Sequence, residues 1–234
     1  MRPLLFDSKR EARLLAAFVV FSAMFFYLFT GGPQTWDELE YMNLSLNPAP
    51  QPEILNRFFH IYLQRLFFGI AETPLQGARI FWSISMALSI GLTYLNAKLL
   101  TRRSDRANGV VALLLLFASW ALWQVAGVPY ADFTVMALVN LGLCLYLVYI
   151  RDPQPGRWPL LVILGMLIYL AFRSKETGLV LAFLPVGLML NDAGKIVWSH
   201  LRTRLPYVLL GVLLGVLVMV SLDGLVLGDP LYSL

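Results

Sequence analysis

Carboxylates and cations recur in this chain at the ends of long apolar runs. Asp37 and Glu38 follow the first run, and Asp132 stands in the turn before the fourth. Arg173, Lys175 and Glu176 lie between the fifth and sixth, and Asp223 and Asp229 follow the seventh. Ionisable groups near membrane depth are costly and tend to mark functional sites. Each has an ordinary explanation alone: Asp132 could cap the fourth helix, and Lys175 with Glu176 could be a solvated loop pair. Together they suit a lipid-linked phosphosugar approached from the bilayer. Arg and Lys would neutralise its phosphate and the charge that develops as it leaves. A carboxylate would take the proton of an acceptor hydroxyl as general base.

The elements that must position these groups are membrane helices. Hydrophobic residues make up 59% of the 234 and charged residues 14%, against about 25% charged in a soluble domain. A spanning helix needs about 20 mostly apolar residues. Seven candidates lie at 13–31, 79–100, 108–127, 133–150, 158–172, 177–191 and 206–222. The fifth and sixth are short enough to be tilted or re-entrant. The expected fold is all-α, a single polytopic core over 1–234 with about seven transmembrane helices.

Charge asymmetry orients the bundle. With 1–12 in the cytoplasm, 13 of the 18 Lys and Arg fall in cytoplasmic segments, as short loops generally require. The five on the other side are Arg57, Arg65, Arg79, Arg173 and Lys175. The net charge of +4 therefore reflects topology, and no nucleic-acid partner is expected. No small-residue cleavage site follows the first run, so it reads as a retained span.

The long extracytoplasmic loop, 32–78, should carry juxtamembrane helices. Thr35 and Glu38 fit a capping box that opens a short helix to about Leu46. A second helix over 53–69 has Glu53, Asn56, Arg57, His60 and Gln64 on one face and mostly aromatic and aliphatic residues on the other. That pattern predicts an amphipathic helix in the membrane interface, its polar face flooring the site.

The segment Trp36-Asp37-Glu38-Leu39-Glu40-Tyr41 resembles the Asp-Glu-x-x-Tyr motif of class C glycosyltransferases. These are polytopic enzymes that include protein O-mannosyltransferases and the lipid A aminoarabinose transferase. Asp132 is similar to the Asp that the family carries at the outer start of a later helix. Arg173-Ser174-Lys175-Glu176-Thr177-Gly178, with Leu184-Pro185 beyond it, resembles the family's Lys-containing turn and following apolar helix. Arg79 and Gly228-Asp229-Pro230-Leu231-Tyr232 also match in position. The resemblance implies Asp37 as base, with Glu38 and Asp132 beside it as catalytic carboxylates. It implies Lys175, Arg173, Arg57 and Arg79 around the lipid phosphate. The family's His-Pro-Pro segment is absent, since Ile61 and Tyr62 follow His60. Relatives usually continue with further spans, so the chain is expected to be cut after Leu234, a compact core, or half of a split enzyme.

The implied activity is transfer of a hexosyl or pentosyl group from a polyprenyl-phosphate donor to a hydroxyl of protein, lipid or glycan. It would take place outside a bacterial or archaeal cell membrane, or in the endoplasmic reticulum of a eukaryote. The alternative is a non-enzymatic membrane protein, either an inactive subunit of a glycosylation complex or a transporter. The span centres carry almost no ionisable group and no repeat is evident, which argues against ion-coupled transport. Asp37 and Asp132, with Glu38, could offer oxygen ligands to a hard divalent ion, or act without one.

Overall fold

The computed structural model describes residues 6, 8–31, 36–50, 57–100, 106–118, 131–151, 154–190 and 195–232. The order is α1 (Lys9–Phe29), α2 (Trp36–Leu46), α3 (Phe58–Phe68), α4 (Pro74–Leu100), α5 (Arg106–Ala118), α6 (Ala131–Arg151) and α7 (Trp158–Phe172). A 3₁₀ segment, Glu176–Phe183, then runs into a short α8 (Leu184–Leu188), and α9 (Trp198–Leu227) closes the chain. No β-strand occurs among the described residues, so the fold is all-α.

Among the described residues, four helices are long and apolar enough to cross a bilayer: Lys9–Phe29, Pro74–Leu100, Asp132–Arg151 and Trp198–Leu227. Shorter apolar helices stand at the third, fifth and sixth predicted spans. The third is described only as Arg106–Ala118, and 119–130 lie outside the described residues. The sixth departs most from expectation, because its first part, Glu176–Phe183, winds as 3₁₀ helix and only Leu184–Leu188 as α-helix. The seventh extends five residues beyond its predicted end, because Asp223 is accommodated inside α9. Exposed Leu14, Phe21, Met24 and Leu28 on α1 present the apolar surface that hydrocarbon requires.

Close helix approach sets the frame. A Cβ on Gly165 of α7 would lie 2.0 Å from the Val208 carbonyl oxygen, and one on Gly211 of α9 only 1.9 Å from that of Val162. Only glycine lets these two backbones meet. The helices alternate in direction, and their ends fall into two groups. Glu11, Lys98 and Arg106 meet at one end of the bundle. Lys175 and Asp132 meet at the other, alongside the contact of α3 with the end of α7.

The loop helices do not behave as the sequence pattern suggests. α3 is buried on both faces from Phe58 to Tyr62 and again at Gln64, and turns outward at Arg65 and Leu66. Phe58, Phe59, Ile61 and Tyr62 pack with Leu170 and Met219 from α7 and α9. The polar face, expected to be wet, is fully buried at His60 and Gln64. Buried polar groups need partners. His60 Nδ1 lies 2.8 Å from Thr134 Oγ1, and Ser45 Oγ donates to Gln64 Oε1 at 2.8 Å. α3 is therefore a core element that ties α2, α6, α7 and α9 together.

Candidate active site

The turn after α7 carries most of the site, and its shape follows from its sequence. Ser174 N and Lys175 N both donate to the Ala171 carbonyl at 3.1 Å, and Ser174 Oγ donates to that of Leu170 at 2.9 Å. Ser174 thereby satisfies carbonyls that a helix end leaves open. Gly178 folds back so closely that a Cβ there would sit 2.2 Å from the Ala171 oxygen. This tight return projects the residues at 173, 175 and 176 to three different partners.

Lys175 Nζ reaches both carboxylate oxygens of Asp132 at 2.7 Å, across 43 residues of sequence. The Lys175 side chain is 26% exposed and that of Asp132 47%, so the pair stands at the site's open side. Asp132 lies inside the first turn of α6, where negative charge is favoured, and does not cap it. Glu176 turns to Arg57, which also donates from Nε to the Tyr41 hydroxyl at 2.9 Å. Lys175 and Glu176 thus take separate partners and do not form a solvated loop pair.

Tyr41 carries the network to α2. On this helix Glu38, Tyr41, Leu44 and Ser45 face inward, while Asp37 is exposed one turn before Tyr41. Burial pushes the Tyr41 phenol up, with Arg57 opposing and the nearby charges of Asp37 and Glu176 adding to the rise. Glu38 is buried and does not face the open side as a second solvent-facing acid would. Thr35, its proposed capping-box partner, lies outside the described residues.

Arg173 points the other way. It is 4% exposed, and its Nε and Nη2 have no hydrogen-bond partner among the described residues. Burial lowers its pKa, opposed by Tyr169, Asp223 and Tyr62. Its carbonyl accepts from Phe59 N at 3.1 Å, locking α3 under the turn. Tyr62 donates to Asp223 Oδ1 at 2.6 Å, and burial with that carboxylate holds the phenol far above its ordinary range. Arg79 is engaged elsewhere: Nη2 donates to the Tyr27 carbonyl at 2.6 Å, and the guanidinium lies 5.0 Å from the Tyr27 ring centre. It fastens α4 to α1.

His60 lies beneath the cluster, between the Tyr41 and Phe81 rings at 5.7 and 5.4 Å. Burial first, then Arg57 and Lys175, pushes its pKa down to about 3, so the imidazole is neutral. Among the described residues no three His, Cys, Asp or Glu side chains gather as a metal site. Both oxygens of Asp132 are occupied by Lys175 instead.

Sequence reasoning missed Tyr62, Thr134 and the internal position of Asp223. The sequence pattern puts Tyr62 on the apolar face of its helix and Asp223 beyond the end of the seventh run. The readable signal was the helical spacing that continues from 222 to 227.

One family model matches residues 56–222, well over half of the chain, and is described as dolichyl-phosphate-mannose-protein mannosyltransferase. The chain belongs to that family. It is a mannosyltransferase-like membrane glycosyltransferase, with apolar helices fit for an integral membrane protein. No curated protein and no solved structure matches it. The matched segment includes Arg57, Asp132, Arg173, Lys175 and Glu176 but begins after Asp37.

Proposed function

We propose that this mannosyltransferase-like protein moves a sugar from a polyprenyl-phosphate donor to an acceptor hydroxyl, at the membrane face where α2, α6 and the 173–178 turn meet. By the charge asymmetry that face is extracytoplasmic. The observation that carries the reading is the cation pair of this cluster. Lys175 and Arg57 reach the same region from distant parts of the chain, each held by a partly exposed carboxylate. Such cations are preorganised for a phosphate: the donor exchanges one anion for another and no bare charge is created.

In the reaction the acceptor oxygen forms a bond to the anomeric carbon as the bond from that carbon to the phosphate oxygen breaks. The electron pair leaves on the polyprenyl phosphate, where Lys175 and Arg57 stabilise the added charge. The acceptor proton passes to Asp37, the exposed carboxylate on the first turn of α2. Asp132 positions Lys175, and Tyr41 positions Arg57. Arg173 and Asp223 brace the turn from beneath, and Arg79 braces α4.

The test is sugar transfer in detergent or vesicles, starting with polyprenyl-phosphate mannose because of the family. Asp37→Asn keeps the side chain's size and removes the base, so turnover should fall about 10²–10⁴-fold with folding unchanged. Wild-type turnover by this variant would remove Asp37 from the mechanism. Absence of transfer by the unmodified protein with every polyprenyl-phosphate sugar would favour a non-catalytic subunit.

A further inference from the structure

We infer that the 3₁₀ segment after Lys175 is the track along which the lipid tail of the phosphosugar donor lies; this rests on the sugar transfer proposed above. Gly178 N donates to the Lys175 carbonyl at 2.9 Å, which closes a three-residue turn on the residue that would hold the phosphate. The 3₁₀ helix then runs for eight residues, Glu176–Phe183, where runs longer than about four are uncommon. With three residues per turn, side chains three apart eclipse one another and stand in straight rows. Burial follows that period. Gly178 and Leu181 form an inner row, and Leu181 seats against Gly142 of α6, where a Cβ would lie 2.9 Å from its Cδ2. Thr177, Val180 and Phe183 form an exposed row, and Val186 of α8 continues it. An α-helix, at 3.6 residues per turn, would carry such positions round its axis.

The row leads away from the candidate site into the apolar depth of the bundle. At its head stands Lys175 with Asp132. Beyond its foot the Leu188 carbonyl accepts from Arg204 Nη1 at 2.8 Å, near the start of α9 at the opposite end. At about 2 Å per residue, the stretch from Thr177 to Phe183 alone covers about 12 Å. The elements packed around the Lys175 turn bury their own apolar residues: Phe133 and Val135 of α6, Leu170 and Ala171 of α7, Phe58 and Phe59 of α3. Among the described residues that meet this turn, the exposed row is the apolar surface that continues from Lys175. Its occupant therefore carries a phosphate at one end, for the lysine, and a long hydrocarbon at the other. A lipid tail gains little hydrophobic energy by leaving other lipid, so selection there rests on packing. A fixed straight row of valines about a phenylalanine suits a stiff chain branched at regular intervals, as a polyprenyl tail is. An unbranched flexible acyl chain has no feature that matches the row.

Photolabelling of the full chain in bilayer nanodiscs tests this without depending on turnover. The probe is a polyprenyl phosphate with a diazirine on its tail, and labelled positions are read by peptide mass spectrometry. Label should concentrate on 179–186 by about tenfold or more over Leu213 and Leu217, exposed apolar residues of α9, because a charge-assisted contact holds the head at Lys175. Lys175→Met should bring 179–186 down to the α9 level, and a diazirine phosphatidylcholine should label both surfaces alike. In transfer, V180A/F183A should lower kcat/KM for polyprenyl-phosphate mannose at least about threefold more than for a donor with a two-isoprene tail, since packing contacts beyond the head are lost. Even labelling of 179–186 and α9 by the probe overturns the inference. So does label concentrated at Met24 and Ile84, in the apolar groove of about 270 Å³ between α1 and α4, or equal loss with long and short donors. Transfer without labelling of the row removes the track and leaves the proposed activity standing. Labelling of the row with no transfer from any donor keeps the track and removes the activity.

Discussion

Replacing Lys175 by Met separates a catalytic cation from a structural one. The side chains of Lys175 and Asp132 are 26% and 47% exposed. An ion pair so open to solvent contributes at most about 1 kcal/mol to stability. Met keeps the length and packing of the lysine stem, so the thermal midpoint should barely move. Loss of a charge-assisted contact to a phosphate costs about 1.5–3 kcal/mol, or roughly 10- to 150-fold in kcat/KM. Asp132→Asn retains one acceptor for Lys175 Nζ and should lower kcat/KM by only about fivefold, since a neutral hydrogen bond replaces a charged one. The double variant decides the roles. If Asp132 acts only by holding Lys175, adding Asp132→Asn to Lys175→Met changes nothing further, and the coupling energy equals the whole effect of Asp132→Asn. The assay is transfer from a polyprenyl-phosphate sugar, with thermal unfolding run in parallel. Wild-type transfer by Lys175→Met would refute the reasoning. So would activity that falls only as folded protein falls, or strict additivity in the double variant.

Three further outcomes follow from the same geometry. Gly178→Ala would place a methyl 2.2 Å from the Ala171 carbonyl oxygen and should cost about 1–3 kcal/mol while displacing Lys175; Gly156→Ala, with open space around it, should be silent in both unfolding and transfer. Lys98→Met should destabilise by up to about 3–5 kcal/mol, because Lys98 is 1% exposed and its loss removes the 2.7 Å cation from the buried Glu11 carboxylate, leaving the longer 3.6 Å contact of Arg106; an unchanged thermal midpoint would contradict that burial. His60, with its pKa down to about 3, binds no proton in the folded state where the unfolded chain does, so stability should fall as pH drops from about 6.5 toward 3; His60→Gln, which does not titrate, should flatten that slope in acid unfolding.

The sequence determined the solvent of this protein and the end of the bundle where its candidate site lies. Apolar runs can satisfy their backbone in lipid only as helices, and short basic loops fix which ends belong together. Those two rules put Asp132 and Lys175 at one end of the bundle. The 158–172 helix and the end of α2 at Leu46 were legible for similarly local reasons, a continuous apolar run in one case and a proline-rich break in the other. What tertiary structure decided was which polar groups are wet. The 53–69 pattern has the period of an interfacial helix, yet α3 lies inside the fold. Periodicity reports two unlike faces and does not say what covers each of them. Here α6 offers Thr134 to His60 Nδ1 and α2 offers Ser45 to Gln64 Oε1, which satisfies one polar atom of each buried side chain and leaves His60 Nε2 and Gln64 Nε2 without a partner among the described residues. Likewise, composition could not divide the cations at the end of the bundle that holds Asp132 and Lys175. Arg79 and Arg173 are bound into the frame while Lys175 and Arg57 meet partly exposed acids, because the close backbone return at Gly178 and the contact from Phe59 to the Arg173 carbonyl aim each side chain in its own direction.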